Sequence, residues 1–372
     1  MTSRNGYMLA GRRGRPGYDW WWHSLVGINE RTGQLQPFFI EYFVINPALG
    51  KDVIVLGQLP ENRSAGVRPS YAMVMAGFRG TESKAQIHNY YPVREFSADQ
   101  HQMNVRIASN YATETRIVGS VLLTPEEAAA HPEFMSDPGE MSWDLVAEKV
   151  LSYSVGYGTS PLFRRVGAFQ MSWHVAGMLT RYSGTIRCNG QVYRVEPESS
   201  CGYQDKNWGT DFTNPWVWLN CNCFTDRSSR QKLKRTSLVV GGARPVAFGV
   251  PLSRCVLVAF YHEGKLYEFN FSKFWTRSHQ RFSCPVTDTS VGWDVEAWDT
   301  NMRIEIHFTC PRKAMLMLNY ENPAGVKRHQ SLWNGGLAAG IVQLYRRQGM
   351  AWDEIGTFEG ELGGCEYGEH SS

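Results

Sequence analysis

At 372 residues the chain exceeds the roughly 250–300 at which a single core stops growing, so two packed units are expected. Its 42% hydrophobic and 20% charged residues exclude a disordered chain. A net charge of only +3, with basic residues gathered in a short arm at Arg4, Arg12, Arg13 and Arg15, argues against nucleic acid as a partner.

From the N-terminus, MTSRNGYMLAGRRGRPGYD lacks the apolar stretch of a secretion signal, and no later segment approaches the ~18 apolar residues of a membrane span. A cytoplasmic location is expected. Asp19-Trp20-Trp21-Trp22-His23, the turn Asn29–Gly33 and Phe38–Phe43 together read as a hairpin. Strand alternation puts Asp19, Trp21 and His23 on one face, Trp20 and Trp22 on the other, and Glu41 with Phe39 and Phe43. A carboxyl on an apolar face needs a partner, and His23 or a tryptophan N–H is the expected one for Glu41.

Aromatic and β-branched runs continue at Phe38–Ile45, Asp52–Leu56, Tyr71–Phe78, Arg116–Leu123, Trp216–Phe224, Arg254–Tyr261, Leu266–Phe271 and Met302–Thr309, which predicts strands. Turn signals at Cys188-Asn189-Gly190, His262-Glu263-Gly264, Asn322-Pro323 and Asn334-Gly335-Gly336 separate them, as in antiparallel meanders. In Met302–Thr309, polar Arg303, Glu305 and His307 alternate with Ile304, Ile306 and Phe308, as for a strand facing either a wet cavity or solvent. Thr124-Pro125-Glu126-Glu127 carries a helix start, with an N-cap hydroxyl, proline at N1 and glutamate at N3. A second helix near Trp143–Val150 competes with a strand there. The boundary between two β domains is placed within Gly156–Arg165, giving domains 1–160 and 161–372, with no flexible linker between them.

The second motif, Gly202–Gly209, reads GYQDKNWG. Alternation gathers Tyr203, Asp205 and Asn207 on one side and Gln204, Lys206 and Trp208 on the other. Trp216 and Trp218 share a face and offer an aromatic surface to that polar group. Burial would raise the Asp205 pKa and a nearby Lys206 would lower it, leaving both a proton donor and an ionised structural anchor open. His174, in Ser172-Trp173-His174, reads either as a substrate contact or as a satisfied structural histidine. The 13 Trp, 17 Tyr and 18 Phe suit barrel interiors and the binding of lipophilic or aromatic small molecules. Without a secretion signal, the eight cysteines are expected as buried reduced thiols; Cys221 and Cys223 share a strand face, and no spacing announces a metal site. No nucleotide-binding glycine pattern and no G-x-S-x-G elbow occurs, so no cofactor and no hydrolase triad are expected.

At these residues the chain resembles the tocopherol cyclase family and related double-lipocalin proteins, which include carotenoid hydratases and decalin-forming Diels–Alderases. The resemblance rests on DWWWH at Asp19–His23, for an EGWY- or EWWY-like hairpin, and on DKNWG at Asp205–Gly209, for EKNWG. It extends to Trp216, Trp218 and Asn222-Cys223-Phe224, and to Gly364-Cys365-Glu366-Tyr367-Gly368 near the end. It implies an all-β fold of two lipocalin-like antiparallel β-barrel or sandwich domains with a few short helices, enclosing an apolar pocket. It also implies cofactor-free chemistry on an unsaturated hydrophobic molecule: proton transfer to an alkene, then ring closure by a phenol oxygen. Carried over, Asp205 is the acid, with Lys206, Glu41 and His23 as further catalytic candidates. Trp20, Trp22, His174, Tyr203, Asn207, Trp208, Trp216, Trp218 and Glu366 are the substrate-binding candidates. Aspartate in place of the family's glutamate, and the hairpin's lack of tyrosine, leave the reaction open between cyclase or isomerase and hydratase or lyase. A lipocalin-like carrier is the alternative; ionisable residues amid apolar strands favour chemistry. A homo-oligomer is compatible with exposed strand edges.

Overall fold

The computed structural model describes residues 4–10, 16–50, 52–156, 169–247, 249–273, 277–326 and 331–369. Two large antiparallel sheets of twelve strands each dominate it. In the first, Tyr18–Asn29, Leu35–Ile45, Tyr71–Phe78 and Ala85–Tyr91 form a meander. From Tyr18–Asn29 the sheet continues in the other direction through Gln191–Val195, Met171–Cys188, Gly139–Tyr153 and Arg116–Leu123. The second sheet is centred on Trp216–Cys221, Ala351–Gly368 and Leu332–Gln348, with Thr236–Ala243 and Cys255–His262 on one side and Met302–Pro311 on the other.

The two-residue period of each strand sorts side chains into three cores. Trp21, Ile40, Tyr42 and Val74 point into the curl of the first sheet. Leu219, Val240, Val258 and Ile306 point into the curl of the second. The alternate residues of the same strands, including Trp20, Trp22, Phe39, Phe43, Trp216, Trp218 and Leu257, meet between the sheets in a third, aromatic core. The first sheet is drawn round on itself by Asn89, whose amide donates to the Leu122 carbonyl at 2.8 Å and accepts from the Leu122 N–H at 3.0 Å. Each buried aromatic or aliphatic side chain contributes roughly 1.5–3 kcal/mol, so the middle core adds to the stability of the fold alongside the outer two.

The all-β class and the two β halves are as expected, but the change of sheet is displaced. The expected boundary region, Gly156–Arg165, lies outside the described residues from residue 157 onward, as do Arg12, Arg13 and Arg15. Gly202–Gly209 nevertheless pairs with Tyr18–Asn29 on one side and Met171–Cys188 on the other. It thus completes the first sheet and does not belong with the C-terminal strands; the second sheet starts at Trp216. Trp143–Val150 lies within the strand Gly139–Tyr153, whose Met141, Trp143, Leu145 and Ala147 face the first core. Asp52–Leu56 forms only an isolated bridge from Val55 to Ser70. Trp216–Phe224 is broken at Asn222, whose amide donates to the carbonyls of Met178 and Gly202 at 3.0 and 2.7 Å. Beside it Cys223 is disulfide-bonded to Cys201, with Cα atoms 5.6 Å apart, against the expectation of reduced thiols throughout. The pairing arises because the start of one strand and the start of another meet where the sheets abut; Cys221 stays free and buried.

Asn334-Gly335-Gly336 is strand, not turn. A Cβ on Gly335 would stand 2.7 Å from the Cys310 sulfur and 2.8 Å from that of Cys365, so glycine serves close packing there. Ile304, Ile306 and Phe308 fill the second core, whereas His307 pairs with Asp294 at 3.0 Å on the half-exposed outer face, which settles that strand as solvent-facing. The helix at Pro125–Ala130 has its reciprocal capping box, Glu127 N–H to Thr124 Oγ1 at 3.2 Å and Thr124 N–H to Glu127 Oε2 at 2.9 Å. A shorter helix spans Pro60–Ser64.

Candidate active site

The middle core is not completely filled. A pocket of about 1050 Å³, its mouth included, opens between the sheets, walled by Trp20, Trp22, Trp173, Trp216 and Trp218, with Met171, Leu257 and Phe271 adding apolar surface. Two rows of paired residues face each other across it. On the first sheet Glu41, Trp22 and Asp205 are successive cross-strand partners, and Trp20, Asn207 and Trp173 form the neighbouring row. On the second, Trp218, Glu366 and Asn334 are successive partners. Gly202–Gly209 and Trp216–Cys221 therefore do not pair with one another; they oppose each other from different sheets.

Asp205 is 5% exposed and reaches the pocket. Its Oδ2 accepts two hydrogen bonds, from Trp173 Nε1 at 2.6 Å and from the Tyr203 hydroxyl at 2.9 Å. The Tyr203 hydroxyl in turn accepts from Trp218 Nε1 at 3.3 Å, which carries the network across to the second sheet. Oδ1 has no hydrogen-bond partner among the described residues. Burial pushes the carboxyl up from its ordinary 3.8 to about 7, against the two donors, with the nearby Glu366 charge acting in the same direction as burial. Such a group carries its proton through much of the neutral range. With both donors on Oδ2, Oδ1 is the oxygen open to carry that proton.

Glu366 contributes the second pocket carboxyl. Oε2 accepts from Trp216 Nε1 at 2.6 Å and Oε1 from Asn334 Nδ2 at 2.5 Å. Burial raises its pKa, opposed by these two donors and by the Arg79 guanidinium. Asn207 lines the pocket with a buried Oδ1 that has no partner, and the indole N–H groups of Trp20 and Trp22 are likewise unpartnered among the described residues. With Asp205 Oδ1 they offer unpartnered polar atoms beside the aromatic wall.

The remaining sequence candidates lie elsewhere. Lys206 leaves the opposite face of its strand and forms a buried ion pair with Asp19, its ammonium 3.9 Å from the centre of the Trp21 ring. It neither touches Asp205 nor figures among the causes of its shift. Trp208 is on that same side, 5.4 Å from the Lys206 ammonium. His23 follows Trp21 away from the pocket, where Nδ1 and the Tyr182 hydroxyl are 2.8 Å apart; burial lowers its pKa to about 3, so its ring is neutral, and it does not line the pocket. His174 is the cross-strand partner of Lys206 and shares its face, and burial lowers it to about 4. Glu41 sits on the pocket side of the first sheet behind Trp22 but does not line the pocket. Its partner is neither His23 nor an indole but the Tyr320 hydroxyl, which donates to Oε2 at 3.0 Å, and burial holds it well above the carboxylate range.

Sequence reading missed Trp173, one residue from the histidine it singled out, although parity on the strand separates the two. The Trp173 ring lies against Gly241 of the second sheet, where a Cβ would fall 2.3 Å from it. It also missed Arg79 and Asn334. Among the described residues no group of three His, Cys, Asp or Glu is placed to hold a metal ion. No helix among them is long and apolar enough to cross a membrane.

Comparison with known proteins agrees with the motif reading. The chain is 24% identical over 324 residues to a chloroplastic tocopherol cyclase of Zea mays, covering 80% of this chain and 61% of the maize protein. It is 32% identical over 132 residues to a protein of Oryza sativa subsp. japonica named as a probable chloroplastic tocopherol cyclase, covering 35% of this chain and 23% of that one. The chain thus spans less than two thirds of the length of either relative. Among solved structures, an AttH protein of Nitrosomonas europaea matches 92% of this chain and 91% of its own, with a TM-score of 0.46 and 11% identity. Kievitone hydratase of Nectria haematococca matches 94% and 89%, with a TM-score of 0.47 and 10% identity. The family model described as tocopherol cyclase-like matches residues 67–368, and with that span, which includes the central motif and the pocket carboxyl Glu366, the chain belongs to the tocopherol cyclase-like family.

Proposed function

We propose that the protein is a cofactor-independent cyclase of the isomerase type, acting on an unsaturated hydrophobic molecule that also carries a hydroxyl group. The observation that carries this reading is Asp205: a buried carboxyl with a pKa of about 7, both donors on one oxygen, and the other oxygen free in an aromatic pocket. Asp205 transfers its Oδ1 proton to one alkene carbon, the π pair forming the new C–H bond and the other carbon becoming cationic. Trp173 and Tyr203 stabilise the carboxylate left behind. The indole faces of the wall stabilise the cation and exclude water that would trap it. Asn207 Oδ1 accepts a hydrogen bond from the substrate hydroxyl and aims its oxygen at the cation. The C–O bond forms, the hydroxyl proton returns to Asp205, and atoms and charge balance as an isomerisation.

The test is incubation with an ortho-prenylated hydroquinone in D₂O, reading one deuterium in a cyclic ether of unchanged composition. Binding without turnover, equal in wild type and Asp205→Asn, would replace the cyclase by a carrier. Addition of water in place of ring closure would make it a hydratase.

A further inference from the structure

Arg79 is a buried cation with no carboxylate in direct contact among the described residues; 1% of it is exposed, and its guanidinium lies 4.6 Å from the Phe39 ring centre and 5.4 Å from that of Trp22. Its Nε donates to Asn334 Oδ1 at 2.5 Å. A guanidinium can only donate, so that contact fixes which end of the amide is oxygen. Asn334 Nδ2 is then turned the other way and donates to Glu366 Oε1. The second carboxylate oxygen, Oε2, is taken by an indole N–H, which also only donates. Every neighbour of Glu366 in this chain of contacts therefore presents a hydrogen to it. A buried positive charge also needs a compensating negative one, and Glu366 stands one amide away.

From this geometry we infer that Glu366 is the fixed negative charge of the pocket, held ionised by the positioning residues Arg79 and Asn334, and that it stabilises a cationic species formed on the ligand. This rests on the cyclase reading above and extends it: the two pocket carboxyls have opposite tasks. Asp205 on the first sheet, with one oxygen free, holds the proton; Glu366 on the second, with both oxygens engaged by donors, holds the charge. The apolar walls then select for ligands whose reactive centre becomes positive between the two sheets, which neither an anionic nor a permanently neutral reaction centre would exploit.

The experiment separates charge recognition from turnover. Binding of benzyltrimethylammonium, a stable cation, and of neopentylbenzene, its uncharged isostere, is followed at pH 6 by tryptophan fluorescence. In the wild type the cation binds more tightly than the isostere. Glu366→Gln lowers cation affinity about tenfold or more, as expected for losing one charge at close range in a partly desolvated site, and leaves the isostere unchanged. Arg79→Met and Asn334→Leu reduce the same preference while keeping Glu366, so a poorly folding variant does not end the test. Unchanged preference in a folded Glu366→Gln overturns the inference and leaves the role of Asp205 untouched. Conversely, retained deuterium incorporation in Asp205→Asn overturns the acid role and leaves the cation preference intact.

Discussion

Trp22 and Asp205 stand directly opposite each other on neighbouring antiparallel strands, so indole and carboxyl leave the first sheet side by side on the face that meets the second. Cross-strand Cβ atoms lie about 4.5–5.5 Å apart, which puts the carboxyl and a π face within one small molecule's reach of each other. In the reaction proposed above, the cation would therefore form beside that ring.

Replacing Asp205 by Asn keeps the shape and removes the transferable proton. Turnover should fall by about 10²–10⁴-fold, the range typical of a lost general acid, while circular dichroism stays that of the wild type. Above pH 7 the wild-type rate should itself fall about tenfold per pH unit as the acid ionises. Stability follows the same proton. The unfolded carboxyl titrates near 3.8 and the folded one near 7, so between these values the folded state binds more protons. The contribution is complete below the unfolded pKa and is lost as pH rises through about 7. Thermal melts of Asp205→Asn should lack that downward slope.

Trp173→Phe removes one of the two donors to Oδ2 and keeps the aromatic wall. Loss of a hydrogen bond that favours the ionised form moves the Asp205 pKa upward, and the alkaline limb of the pH–rate profile should shift by about one unit to higher pH. Gly241→Ala should produce the same shift from the far sheet by displacing the ring. A limb that does not move in either variant removes Trp173 from the acid's environment.

How much of this was legible follows from the range of the interactions. The grouping of Tyr203, Asp205 and Asn207, and the separation of Trp20 and Trp22 from Trp21 and His23, obey a local period of two and could be read directly. Partners brought from far along the chain could not. Tyr320 reaches Glu41 across 279 residues, and Asn334 reaches Arg79 across 255. Alternation put Lys206 and Asp205 on opposite faces, but their partners, Asp19 and Trp173, come from other strands and were not legible. Asn334-Gly335-Gly336 misled because its glycines serve close packing and not a turn.

The Cys201–Cys223 disulfide closes a loop 22 residues long in sequence between the first sheet and the second. Cys201→Ser with Cys223→Ser should cost about 2–4 kcal/mol, mainly by freeing the unfolded chain, and should appear as a lowered thermal midpoint. Ligand affinity measured well below that midpoint should hardly change, since neither cysteine lines the pocket.

The Asp19–Lys206 pair tests whether the central motif is one unit or two. Both side chains are fully buried on the face away from the pocket, and Asp19 Oδ2 also accepts from the Met8 N–H at 2.7 Å, tying the N-terminal segment to the sheet. Lys206→Met leaves a buried carboxylate without its cation and should destabilise the protein by about 3–5 kcal/mol. Asp19→Asn combined with Lys206→Met removes both charges and should recover a large part of that loss, because two neutral groups need far less solvation than one stranded ion. In either variant that still folds, the pH–rate profile should keep its limb near 7, because Lys206 projects away from Asp205. A shift of that limb in the double variant would mean that the two faces of the Gly202–Gly209 strand are electrostatically coupled, and the assignment of Lys206 to stability alone would be wrong.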